Sequence, residues 1–256
     1  MIPGPPRRRG AERVERMDAG EGTPEEIATA YRLLDVVNRR LGGHRLTARA
    51  MIPLLEDVTG RVEIVDVAGG SGEFARRMLA WAGGGGREPR VTVVDLNRIA
   101  LAAARDGGRA DGARPDPVAV AGADALALPF ADRSIDVVHC SCFFHHLSTV
   151  AARDLLSEMC RVSRRYVIVN DLVRSRIATA SIWTLTRTLV RNRLVRADGP
   201  LSVLKSFVPD ELVAIAHAVG LSDHPRFRWS IARGFPYRMV LVGARVDGSR
   251  ARTAGS

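Results

Sequence analysis

Apolar positions in this chain first recur at helical spacing and then gather into short solid blocks. Thr23-Pro24-Glu25-Glu26 has the form of a helix start: a Thr cap, Pro at the first helical position, and Glu three residues after the cap. The predicted helix runs to about Arg40 and is stopped by Gly42-Gly43. A second is predicted over Thr47–Asp57. Apolar blocks then follow at Val62–Val67, Val91–Asp95, Val118–Ala121, Ile135–Cys140 and Tyr166–Asn170. Helical patterns over Glu73–Trp81, Arg98–Arg105 and Thr149–Val162 separate them. Continuous apolar strands, rather than alternating ones, imply burial on both faces. Strand–helix alternation predicts an α/β fold with a doubly wound, mainly parallel sheet. Beyond it, Ser175–Val195 reads as one long helix and Pro209–Val219 as another, ended by Gly220. Phe227–Ile231 and Tyr237–Val242 read as closing strands, an antiparallel edge pair that completes a seven-stranded sheet.

This pattern divides the chain. Residues 1–22, rich in Pro, Gly, Arg and Glu, are expected to be a disordered basic tail, and 246–256 a second one. Residues 23–245 form one predicted domain. Within it, 23–58 is a helical cap, 60–172 the half that holds a ligand, 173–220 a helical lid region and 221–245 the closing strands.

Composition narrows the function. The net charge is +10, but the arginines are scattered rather than gathered in one stripe, and only Lys205 is a lysine. That argues against a nucleic-acid partner. Three cysteines with no CxxC pair argue against a disulfide framework and a structural zinc site, and no metal is expected. Arg7–Arg9 are not followed by an apolar stretch, and no apolar run approaches the ~20 residues that span a bilayer. A cytoplasmic protein is expected, with at most weak membrane-surface contact through the apolar and basic Ser175–Val195 helix.

The segment Asp66-Val67-Ala68-Gly69-Gly70-Ser71-Gly72 follows a strand and opens a helix. In an open parallel sheet, ligands bind at the carboxyl ends of strands where the winding reverses. Gly70-x-Gly72-x-x-Ala75 also fits a dinucleotide fingerprint. However, the acid Asp66 at the strand end suits a ligand with a cationic amino-acid end better than a pyrophosphate. Asp95, ending the next strand, can accept both ribose hydroxyls of an adenosine ligand. The wide spacing between them is attributed to a flexible insertion at Gly83–Gly86.

Downstream lie Gly122-Ala123-Asp124-Ala125-Leu126-Ala127-Leu128-Pro129-Phe130, then Asp132-Arg133-Ser134-Ile135-Asp136-Val137-Val138, then Phe144-His145-His146-Leu147. Taken in order with the glycine loop, these resemble the class I S-adenosylmethionine-dependent methyltransferases of the UbiE-like branch, over residues 60–172. The resemblance implies a Rossmann-like methyltransferase fold with a helical insertion after the fifth strand, and S-adenosyl-L-methionine as cofactor. It implies that Asp66, Ala68, Gly70 and Gly72 form the methionyl loop and that Asp95 and Leu96 hold the ribose side. Asp124 and Ala125 would meet the adenine, with Leu126 in its pocket. Cys140 and Ser141 would line the methionyl cavity, and Asp136 would shape the site. Ala68 stands where that family has glycine, which is harmless provided its φ is negative.

A weaker resemblance, to methyltransferases associated with bacterial type III polyketide synthases, rests on Asn38-Arg39-Arg40-Leu41-Gly42-Gly43, Asn170-Asp171-Leu172 and Asp198-Gly199-Pro200. It implies a phenolic, quinonoid or polyketide acceptor. O-methylation is the leading expectation, with C-methylation of an activated ring as the variant. His145, His146 and Asp171 are the candidate bases, because they follow strands at the ligand edge and imidazole titrates near neutral pH. His139, within a strand, is expected to be a satisfied core residue. An NAD-dependent oxidoreductase would need a hydride-transfer constellation such as Tyr-x-x-x-Lys, which is missing around the single Lys205. A non-catalytic nucleoside-binding protein fits the retained set of cofactor acids less well.

Overall fold

The apolar blocks become seven strands of one sheet. In a computed structural model, the described residues are Arg7, 13–106, 118–222, 224 and 226–246. The strands are β1 (Gly60–Val67), β2 (Arg87–Asp95), β3 (Val118–Gly122), β4 (Ile135–Ser141), β5 (Ser163–Leu172), β6 (Phe227–Gly234) and β7 (Arg238–Arg245), in the order β3-β2-β1-β4-β5-β7-β6. β1 to β5 are mutually parallel, and β7 is antiparallel to both its neighbours. The winding therefore reverses between β1 and β4, where a ligand crevice opens at the carboxyl ends.

The closing strands form the expected antiparallel pair at one edge of the sheet. β7 is not at an edge but inserts between β5 and β6. Burial explains the placement: β7 opens with four buried residues, Arg238–Leu241, whereas β6 mostly alternates half-buried and exposed positions.

The helices are α1 (Pro24–Arg40), α2 (Gly43–Leu54), α3 (Glu73–Ala82), α4 (Arg98–Asp106), α5 (Thr149–Val162), α6 (Arg176–Leu189), α7 (Arg193–Lys205) and α8 (Pro209–Ser222). Successive strand residues face opposite sides, so the sheet carries two cores. Val65, Val138 and Val167 pack with Leu155, Met159 and Leu212 on one face. Ile64, Val137 and Ile168 pack with Met51, Leu55, Phe74 and Met78 on the other. α1 begins with the predicted capping box, both of its hydrogen bonds present. The single long helix predicted over Ser175–Val195 is instead two. Asn192 breaks it by accepting the backbone N–H groups of Leu194 and Val195 and so starting a new helix. The Gly83–Gly86 stretch is a turn, with Gly84, Gly85 and Gly86 at positive φ and Arg87 N–H bonded to Gly84 O.

The expected tail over 1–22 is corrected for its second half. Residues 13–22 form turns that pack on the domain, and Glu15 is buried. Asp198 of α7 accepts the N–H groups of Arg16 and Met17 at 2.9 and 3.2 Å. The charge pattern that suggested solvation instead supplies partners for buried groups. Residues 1–6, 8–12 and 247–256 of the two predicted tails lie outside the described residues.

Asp136 is also corrected. It sits near the start of β4, at the end of the sheet opposite the crevice. There it accepts Glu63 N–H from β1 and the guanidinium groups of Arg164 and Arg165 from β5. Burial opposes its charge, but the Arg164 pairing outweighs this and holds the carboxyl below its ordinary range. Its work is to join three strands. Asp136→Ala is expected to cost about 2–3 kcal/mol in urea denaturation and to leave nucleoside binding unchanged.

Candidate active site

β1 ends in Asp66 and Val67, and the chain then turns through Ala68–Gly72 into α3. Asp66 is 1% exposed. Its Oδ1 lies 2.7 Å from His139 Nδ1 on β4, and its Oδ2 is buried without a hydrogen-bond partner. A Cβ on Gly69 would come 2.8 Å from that oxygen. Gly69 is therefore required by the close approach of its backbone to the carboxylate. The orphaned Oδ2 fits the cationic amino group, or an intervening water, that an amino-acid ligand would bring. Tyr31 of α1 closes over the loop, with its ring 3.3 Å from where a Gly70 Cβ would stand. Burial, with Asp95 and Asp18 nearby, pushes the Tyr31 phenol up, so it stays protonated.

Asp95 is half-buried at the end of β2. Its two oxygens accept Gly70 N–H at 2.9 Å and Asn97 N–H at 2.8 Å, which fixes the carboxylate plane while leaving lone pairs for hydroxyl donors. Asp124, after β3, is exposed and oriented by Leu126 N–H at 2.9 Å. Leu96 and Leu126 are 69% and 42% exposed at the same sheet edge, while Ala125 is buried. Exposed leucines beside two oriented carboxylates suit a flat adenine ring with polar ends.

The structure joins His145 to Asp171. The His145 Nδ1–Asp171 Oδ1 distance is 2.7 Å, and Asp171 Oδ2 accepts His145 N–H at 2.9 Å. Asp171 is fully buried, which opposes its charge, yet His145 and the amides of Leu172 and His145 hold the carboxyl below its usual range. Asp171 therefore positions His145 and does not cap the next helix; Ser175 does that.

His145 Nε2 points toward Glu15 Oε1, 3.9 Å away, on the N-terminal segment. Glu15 also lies 3.3 Å from Lys205 Nζ. His146 Nδ1 is 2.6 Å from Asp18 Oδ2. Burial disfavours an imidazolium at His146, but the Asp18 hydrogen bond and the nearby Glu15 prevail and raise it. The segment 13–22 thus forms a strap across both histidines.

Of the predicted site residues, Asp66, Ala68, Gly70, Gly72, Asp95, Leu96, Asp124, Ala125 and Ser141 gather along the carboxyl edge of β1 to β4. Cys140 is an exception, since its thiol is buried in the core and burial pushes it well up. Ser141 and Cys142, both half-buried, occupy that border instead. The proviso on Ala68 fails: its φ is +52°, so an L-residue holds the left-handed conformation that glycine adopts without strain. His139 is satisfied as expected, with Thr47 Oγ1 3.5 Å from its Nε2. Sequence reasoning missed Tyr31 and the strap. Glu15 and Lys205 are opposite charges with no shared motif, and only folding brings them together.

Comparison with known proteins agrees with this geometry. Residues 64–165 match the family described as "Methyltransferase domain". The chain is 36% identical over 155 residues to the ubiquinone/menaquinone biosynthesis C-methyltransferase UbiE of Paracoccus denitrificans, covering 59% of this chain and 58% of that protein. It is 33% identical over 150 residues to the same protein of Roseobacter denitrificans, covering 59% and 56%. The match thus spans less than two-thirds of these relatives' length. A SAM-dependent methyltransferase from Aquifex aeolicus superposes with TM-score 0.60 at 16% identity, over 88% of this chain and 100% of that one. The plantazolicin methyltransferase BpumL, bound to a desmethylPZN analogue and SAH, gives 0.62 at 11%, over 85% and 91%. Residues 64–165 are thus similar to a methyltransferase domain, on a sheet with the fold of solved SAM-dependent methyltransferases, and the same half of the chain is similar to UbiE.

Two outcomes follow. Ala68→Gly removes left-handed strain and should stabilise the protein by about 1 kcal/mol in thermal unfolding, with nucleoside affinity retained. The second concerns the strap. His146 is raised above 6.5 when folded, so its contribution is present below that value and lost as pH rises through the folded pKa. Hydrogen-exchange protection of the Arg16 and Met17 amides, corrected for intrinsic rate, should fall across that alkaline window and stay flat in Asp18→Asn.

Proposed function

We propose that this protein methylates a small molecule, with a phenolic, quinonoid or polyketide hydroxyl as the acceptor. The observation that carries the reading is the meeting of Asp66, Asp95, Asp124 and the His145–Asp171 pair on one edge of the sheet. When bound, S-adenosyl-L-methionine supplies a methyl on a sulfonium, which is already a good leaving group.

The chain's own residues then mainly align and exclude. Asp95, fixed by two amides, accepts the ribose hydroxyls. Asp124 accepts the adenine amino group, and Leu96, Ala125 and Leu126 surround the ring. Asp66 faces the methionyl end with its free oxygen. Tyr31 shuts the loop from water. Alignment of this kind supplies up to roughly 7–11 kcal/mol in favourable systems.

The acceptor hydroxyl loses its proton to His145 Nε2, while Asp171 fixes the other ring nitrogen. Such assistance is worth about 10²–10⁴-fold. Glu15 must withdraw for a hydroxyl to reach that nitrogen. His146 is already committed to Asp18 and serves the strap. The similarity to UbiE favours a second reading, C-methylation of an activated ring, in which the same base would ionise the ring hydroxyl.

Asp95→Asn should weaken S-adenosylhomocysteine binding about tenfold or more by calorimetry; unchanged affinity removes the ribose assignment. With a phenol, quinone and pyrone panel read by mass spectrometry, His145→Ala should lower kcat about 10²-fold or more and leave cofactor affinity intact. His146→Ala should retain kcat. NMR of the product distinguishes oxygen from carbon.

A further inference from the structure

Helix α6 contributes little to either core. Of its 14 residues only Ala178 and Thr186 are buried, and both are small. A helix of this length depends for its stability on burying an apolar face. Yet α6 leaves large apolar side chains outside: Ile177, Trp183 and Leu189 are 54%, 52% and 74% exposed. Arg176, Ala180, Trp183 and Arg187 recur at i, i+4, i+7 and i+11, and all four are exposed. So is the adjoining row, from Ile177 through Ser181 and Thr184 to Thr188. Together they make one continuous outward face, roughly 18 Å long.

The charge around this face has one sign. No acid occurs between Asp171 and Asp198, an interval that holds six arginines. Arg174 and Arg193 are paired, with Glu211 and Glu26. Arg176, Arg187 and Arg191 are exposed and, among the described residues, have no carboxylate within ion-pair distance. The Arg187 guanidinium lies over the Trp183 ring, 5.4 Å from its centroid. A face made only for solvent mixes its charges, as α5 does with the exposed Arg153 and Asp154.

Exposed arginines set beside an exposed tryptophan and isoleucine need a partner that is anionic at its surface and apolar just beneath. An anionic bilayer supplies both within the depth of one side chain. Guanidinium groups meet its phosphates, and an indole ring settles at headgroup level. A nucleic acid supplies the charge but no apolar layer for Ile177. No helix among the described residues is long and apolar enough to cross a membrane, so contact through α6 is contact along the surface.

We propose that α6 lays its Trp183 face on a bilayer that carries anionic headgroups. The proposal goes beyond the methyltransferase reading and does not depend on which acceptor is methylated.

Vesicle sedimentation and tryptophan fluorescence of the full chain test it. The protein should sediment with vesicles of mixed phosphatidylglycerol and phosphatidylcholine and stay in solution with phosphatidylcholine alone. Arg187→Gln with Arg191→Gln should weaken binding about thirtyfold, the effect of two arginines near an anionic surface. Arg90→Gln with Arg105→Gln removes the same charge from exposed sites outside α6 and should weaken it about threefold at most. Brominated lipid in the mixed vesicles should quench the wild-type fluorescence. Trp183→Ser should lose that quenching, with Trp81 and Trp229 left as an unquenched background. Equal sedimentation with both vesicle types, or none with either, overturns the proposal. So do equal effects of the two arginine pairs, absence of quenching in the wild type, or quenching that persists in Trp183→Ser. A short single-stranded RNA that binds more tightly than the mixed vesicles overturns it as well.

Discussion

The Asp66–His139 hydrogen bond joins β1 to β4 at the place where the winding of the sheet reverses. Both side chains are buried, at 2.7 Å. From His139 the contact continues through Thr47 of α2, which accepts Asn170 Nδ2 at 2.7 Å; Asn170 also donates to Gly43 O at 2.8 Å. Donors and acceptors alternate along this chain when His139 Nδ1 carries the proton. A polar network in an apolar core is costly where groups go unpaired, as Asp66 Oδ2 and Asn170 Oδ1 do here, and its made bonds restrict how its members can be arranged. Here it fixes β1, β4, β5 and α2 relative to one another directly beneath the crevice. The glycine loop, Ser141 and Asp171 inherit their positions from it.

Above that layer, backbone amides orient the carboxylates, joined at Asp171 by the His145 ring. Gly70 and Asn97 hold Asp95, Leu126 holds Asp124, and Leu172 and His145 hold Asp171. Held by these amides, the acids would meet a ligand already aimed, and little ordering entropy is lost on binding. The exception is the strained Ala68, the one non-glycine at positive φ in the loop.

Buried charge is paired around the ends of β4 and β5. Among the described residues, Arg174 is matched by Glu211 across the fold and Lys205 by Glu15 from the strap, while Arg238 donates to the neutral Cys142 and Asn38. The strap bears on how a substrate would reach His145, because Glu15 faces its Nε2.

By itself the sequence determined the strand–helix order, the doubly wound sheet, the capping box at Thr23 and the cofactor loop, because local periodicity and short-range turn chemistry encode these. Asp66, Asp95 and Asp124 were legible because each ends or follows a strand within a contiguous motif. Only the tertiary structure decided the insertion of β7 beside β5, the removal of Asp136 to the opposite end, the sign of φ at Ala68, and the separate partners of His145 and His146, Asp171 and Asp18. It also brought Glu15 to Lys205. These outcomes depend on pairs from tens of residues to nearly two hundred apart or on backbone geometry set by packing. Neither leaves a periodic trace along the chain, because Coulomb and hydrogen-bond partners are chosen by distance in space.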